Sequence, residues 1–131
     1  MTTTRLLPVL AALVMTSAAE AQTAKVGLDR QMLKLSLQDR VEQRCDARAA
    51  GRVARDHKEL KPDTTIAYAF GDTRARGTEI FAPGAALRSN GHWYRLSYTC
   101  RTTPDGLDIE RFDYRLGPEI PRSQWEEHGL Y

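Results

Sequence analysis

Leu87-Arg88-Ser89-Asn90-Gly91-His92-Trp93-Tyr94-Arg95-Leu96-Ser97-Tyr98-Thr99-Cys100 is the segment on which the architecture turns. Asn-Gly between two alternating runs is the strongest short signal for a two-residue hairpin loop, because both loop positions need positive φ. It places Leu87 opposite Tyr94 and Arg88 opposite Trp93 on strands 87–89 and 92–102. Downstream, Thr103-Pro104-Asp105-Gly106 is turn chemistry,. If Thr103 closes that turn with Leu107, a further strand over 108–116 sets Tyr98 against Phe112, Leu96 against Tyr114 and Tyr94 against Leu116. Both registers then select one inner face, to which Cys100 also belongs.

Upstream, Thr64 to Phe70 alternates Ile66, Tyr68 and Phe70 against Thr65, Ala67 and Ala69, the period of a half-buried strand,. A polar turn with Gly71, Asp72 and Gly77 leads to a strand over 78–81, which Pro83-Gly84 interrupts as a bulge or edge irregularity. Before these strands the period is helical. Ser36 followed by Asp39 is a variant of the capping box, and Leu37, Val41, Cys45, Ala49 and Val53 form an apolar stripe,. Pro62 forbids continuation past about Lys61. Ser123 to Gly129 reads as a short capped helical turn; the sequence does not place Trp125, whose default role is an anchor for the tail in the core. The prediction is an α+β domain: one amphipathic helix packed on a meander of about four antiparallel strands, cystatin-like in outline.

Residues 1–21 carry the three parts of an export signal: Arg5, an apolar run from Leu6 to Met15, and small residues before a cut after Ala19-Glu20-Ala21,. The run is too short to span a bilayer, and no later stretch is apolar enough to do so. Residues 22–35 read as a polar linker, and 36–131 as a single domain. Cleavage would leave 18 basic against 16 acidic residues. That small excess, with a periplasmic or secreted address, argues against a nucleic-acid partner. In an oxidising compartment two cysteines are read first as a disulfide, Cys45 to Cys100. The alternative is two separate thiols. The bridge would stabilise the fold by roughly 4 kcal/mol, and it would pin the helix stripe to the inner face of the sheet.

The other face of the sheet carries the candidate ligand-binding residues: Arg88, Trp93, Arg95, Arg111 and Arg115, beside Ser97, Thr99 and Asp113. The expected register sets Arg95 opposite Arg115, an unfavourable pairing unless an anion lies between them. Trp93 would stack on a ligand while the arginines clamp carboxylate or phosphate. The plain alternative is a solvated face on which Arg88 covers Trp93. His57, His92 and His128 have no metal-ligand spacing. Ser36 and Ser123 act as caps, Ser97 lacks a nucleophile elbow, and Glu126-Glu127 are adjacent residues that do not face one another. No catalytic residue, metal site or cofactor is predicted.

Glu42-Gln43-Arg44-Cys45-Asp46, Ile66 to Phe70, Leu87 to Cys100 and Ile120 to His128 together resemble domain-of-unknown-function family 930. The resemblance covers about residues 28–131. It implies an exported bacterial protein and no assigned activity, and departs from the family pattern at Ser36-Leu37, where an acidic residue and proline are expected. The leading expectation is a non-enzymatic, envelope-associated binding domain for an anionic glycan, an anion or a protein. A small hydrolase with a hidden site and a structural or inhibitory partner are the alternatives.

Overall fold

The structure, a computed structural model, describes residues 12–131. The expected export signal up to residue 11 lies outside them. The described residues divide into two units, one up to Lys34 and one from Leu35 to Tyr131. In the first, α1 (Ala12–Met32) runs through the expected cut and through most of the segment read as a linker. Residues 22–32 contain no proline and are rich in good helix formers, and Lys25 pairs with Asp29 at 2.8 Å across one turn,. Among the described residues, no helix is long and apolar enough to cross a membrane.

The second unit opens with α2 (Leu37–Asp56), capped as expected: the Asp39 N–H donates to Ser36 Oγ at 3.1 Å. Its buried side is Val41, Cys45, Ala49 and Val53. The helix ends at Asp56, before proline demands it, where His57 turns to an extended conformation. Five strands follow: β1 (Pro62–Ile66), β2 (Arg74–Arg76), β3 (Glu79–Ser89), β4 (His92–Thr102) and β5 (Ile109–Glu119). They form one antiparallel sheet in the order β1-β3-β4-β5, with β2 alongside the first part of β3. The fifth strand, β2, lies in the segment read as a polar turn.

The β3–β4 hairpin has the expected register, with Leu87 opposite Tyr94 and Arg88 opposite Trp93. Asn90 and Gly91 take φ of 52° and 78°. Pro83 and Gly84 sit in a bulge within a continuous β3, where the register shifts between Ala82 and Ala85. A Cβ on Gly84 would lie 2.6 Å from the backbone of Phe70 and Gly71, so only glycine allows this approach,.

Two expectations are corrected. The β4–β5 register is two residues away from the one proposed: Cys100 opposes Phe112, Tyr98 opposes Tyr114 and Leu96 opposes Leu116. The Thr103 N–H bonds Asp108 O rather than closing with Leu107, Asp105 caps the Leu107 N–H, and a bulge follows between Arg101 and Thr102. A shift of two keeps every side chain on its face. The segment 64–70 ends its strand at Ile66, and the expected alternation breaks off in the turn that follows. Ala67 is buried against α2 and its sheet, whereas Tyr68 is exposed and Ile66, Ala69 and Phe70 pack on the opposite side.

The sheet therefore carries apolar layers on both faces. The inner one joins the α2 stripe to Ile80, Leu87, Leu96 and Tyr98, and the Cys45–Cys100 disulfide ties the two together with Cα atoms 5.9 Å apart. The outer one consists of Trp93, Ile120, Trp125 and Leu130 with Ala86. Here the tail folds back as two short 3₁₀ turns, Arg122–Gln124 and Glu126–His128, ended by Gly129 at φ 64°.

Candidate binding surface on the outer face of the sheet

Alternation along each strand and the observed registers lay the outer face out in rows. Nearest the hairpin turn is the row of Arg88 and Trp93. The tail covers it. Trp93 is 2% exposed and its Nε1–H donates to the main-chain oxygen of Tyr131 at 3.2 Å. Arg88 donates to the same oxygen at 2.9 Å and to Asp63 Oδ1 at 2.8 Å, with its guanidinium 5.6 Å from the Trp93 ring. The Arg88 bond, helped by the Thr64 hydroxyl, holds the Asp63 carboxyl below its ordinary range. The role expected for these two residues is corrected: Trp93 offers no ring face for stacking, and Arg88 is engaged in holding the tail. Trp125 does anchor the tail, with its Nε1–H on Ile120 O at 3.0 Å.

In the next row Arg95 is exposed and lies over the Phe70 ring at 3.7 Å. It does not oppose Arg115. The ladder is irregular between Tyr94 and Leu96, and Gly117 approaches instead, so closely that a Cβ there would be 2.8 Å from Arg95 Cβ. Arg115 opposes Ser97. The like-charge opposition falls elsewhere, between Arg101 and Arg111. Carboxylates offset it: Glu79 and Glu110 lie 3.9 and 3.7 Å from Arg101, and Asp113 lies 3.2 Å from Arg111,.

Away from the tail, the row Arg74, Phe81, Thr99, Asp113 is open to solvent. Phe81, Ser97, Thr99, Asp113 and Arg115 line a shallow depression of about 200 Å³. Phe81 is 39% exposed and the Arg74 guanidinium stands 5.6 Å from its ring centre. Arg74, Arg95 and Arg115 form no ion pair among the described residues. The depression thus combines an exposed ring, two hydroxyls, the Arg115 guanidinium and the Asp113 carboxylate, with Arg74 standing beside the ring. Of the five residues proposed from sequence, Arg115 lines this depression, whereas Arg95 lies over Phe70 and Arg111 pairs with Asp113. Phe81 and Arg74 were missed. Arg74 lay in the segment read as a polar turn, and the bulge at Pro83-Gly84 broke the register that would have assigned the face of Phe81.

The histidines are dispersed. His57 caps α2, and His128 stacks on Phe70 at 3.9 Å with Nδ1 3.0 Å from Ala69 O. His92 Nδ1 lies 2.6 Å from Glu119 Oε1, in a cleft of about 440 Å³ that Arg122 and Trp125 also line. The cleft's other lining residues are Gly91, Ile120 and Pro121. Among the described residues, no three His, Cys, Asp or Glu side chains cluster to hold a metal ion.

The model of a family described as Domain of Unknown Function (DUF930) matches residues 32–130. No curated protein and no solved structure matches the chain.

Proposed function

The chain belongs to the DUF930 family, and from its own surface we propose that it is an exported, periplasmic binding domain that holds an anionic glycan on the outer face of its sheet. One observation carries this reading: an exposed phenyl ring, Phe81, beside Arg74 and Arg115, which have no carboxylate partners among the described residues. A solvated face would spread its arginines among counter-charges, as Arg101 and Arg111 do here. Guanidinium groups beside an aromatic ring supply forks that match a carboxylate bidentately next to an apolar surface. The export reading rests on residues 1–21 and is supported by the joined cysteines,.

The test is an NMR titration with an oligogalacturonide at low salt, compared with its neutral methyl ester. The expected result is shifts at Phe81, Ser97 and Arg115 for the acid form alone, weakened at least tenfold in Arg74→Gln/Arg115→Gln. Absence of shifts at millimolar ligand would overturn the proposal.

A further inference from the structure

On the far side of the sheet from that face, α2 presents a second basic surface. Arg44, Arg48, Gly51 and Arg55 follow one another at spacings of four, three and four, so they share one stripe of the helix,. They line a groove of about 260 Å³ whose other wall is Leu107 and Asp108, from the turn before β5, and Ile109, its first residue.

Two local choices in this stripe weaken the helix. Arginines four apart repel each other, and a glycine in the middle of a helix is an unfavourable residue. Packing does not call for Gly51, since a Cβ placed on it would meet nothing within 4 Å. Its missing side chain does have one consequence: it leaves the floor of the groove open between Arg48 and Arg55. Three guanidinium groups face a single carboxylate, Asp108, and neither Arg48 nor Arg55 forms an ion pair among the described residues. Of the nearby acids, Asp56 bonds Tyr114 and pairs with Arg52, with Arg55 adding a weaker attraction at longer range, and Glu110 pairs with Arg101. Residues that break a local rule and together shape a charged concavity are what a ligand site requires.

We propose that this groove binds a small phosphate-bearing ligand, a phosphomonoester, with the phosphate between Arg48 and Arg55 over Gly51 and the organic part against Leu107 and Ile109. Planar guanidinium forks suit the tetrahedral oxyanion, and the two aliphatic side chains give the ester group an apolar wall. The site is separate from the outer-face depression and does not depend on it.

The experiment is an NMR titration of the full chain with glycerol 3-phosphate and with inorganic phosphate at constant ionic strength. Saturable shifts are expected at Arg48, Gly51 and Leu107 to Ile109, with the ester binding more tightly than phosphate. Arg48→Gln/Arg55→Gln should weaken binding at least tenfold. Gly51→Leu should abolish binding by filling the groove while leaving every charge in place, and should raise the melting temperature because leucine is the better helix former. Arg74→Gln/Arg115→Gln should leave it unchanged, which separates this site from the outer face. Non-saturating shifts spread over all arginines, or a Gly51→Leu variant that binds as the parent does, would overturn the proposal.

Discussion

At the scale of single residues, the unusual ionisable group is Asp46. It lies half-buried on α2 and accepts a hydrogen bond from the Tyr98 hydroxyl at 2.7 Å. Burial pushes its pKa up to about 7, against the lowering effect of that bond, and Glu42 one turn earlier adds to the rise. The same environment raises the Tyr98 hydroxyl. A carboxyl whose pKa is higher in the folded than in the unfolded chain takes up protons on folding. Its stabilising effect is therefore complete below the unfolded value near 3.8 and is lost as pH rises through about 7. The upper bound on the loss is about 4 kcal/mol. Asp56, Asp63 and Asp105 have the opposite sign: their pKa values are lowered, so their contribution is lost as pH falls below 3.8 through the folded values. Urea unfolding should thus give a higher midpoint at pH 5 than at pH 8, and Asp46→Asn, which can still accept the Tyr98 bond, should remove the difference. An unchanged difference in the variant would place its source elsewhere. None of this was legible in the chain, where Asp46 is one of several polar residues between apolar positions of a helix.

At the scale of elements, the helix and the central hairpin were legible because their signals are local. Ser36 caps within three residues, the α2 stripe repeats every fourth, and Asn90-Gly91 sets its own register,. The β4–β5 register was misread by two because a turn's closing pair depends on which side chains cap it, here Asp105 and Thr103. The strand over 64–70 was read too long because alternation continues in sequence through a turn, where side chains pack on both covered faces. Gly84 shows how closely that segment is held: Phe70 N–H bonds Gly84 O at 2.7 Å across the bulge. Gly84→Ala should force the two backbones apart and lower stability by about 1–3 kcal/mol, read as a lower urea midpoint. Retained stability would mean that the bulge opens freely.

At the scale of the molecule, the tail converts a two-layer expectation into three layers. Half of the outer face, including Trp93, becomes core, and the other half stays open around Phe81. The open part of the outer face is thereby confined to what the tail does not reach. The compartment is likewise a whole-molecule property. Protein recovered from the periplasm should begin at Gln22 and show no reactive thiol until reduced, with reduction lowering stability by about 4 kcal/mol if the chain-entropy account holds. Recovery of the chain with residues 1–21 attached, in the cytoplasm, would sink the export reading.

By itself the sequence determined the fold class, the α2 stripe, the hairpin register and the means to join Cys45 to Cys100, because each depends on periodicity or on a short motif whose physics is local. Only the tertiary structure decided which face the tail covers, that Phe81 and Arg74 share a row with Thr99 and Asp113, and that Arg48 and Arg55 border a groove against Leu107. Those outcomes depend on bulges, on a turn's closing pair and on where the last residues of the chain come to rest. Each is set by side chains far apart in sequence meeting on one surface.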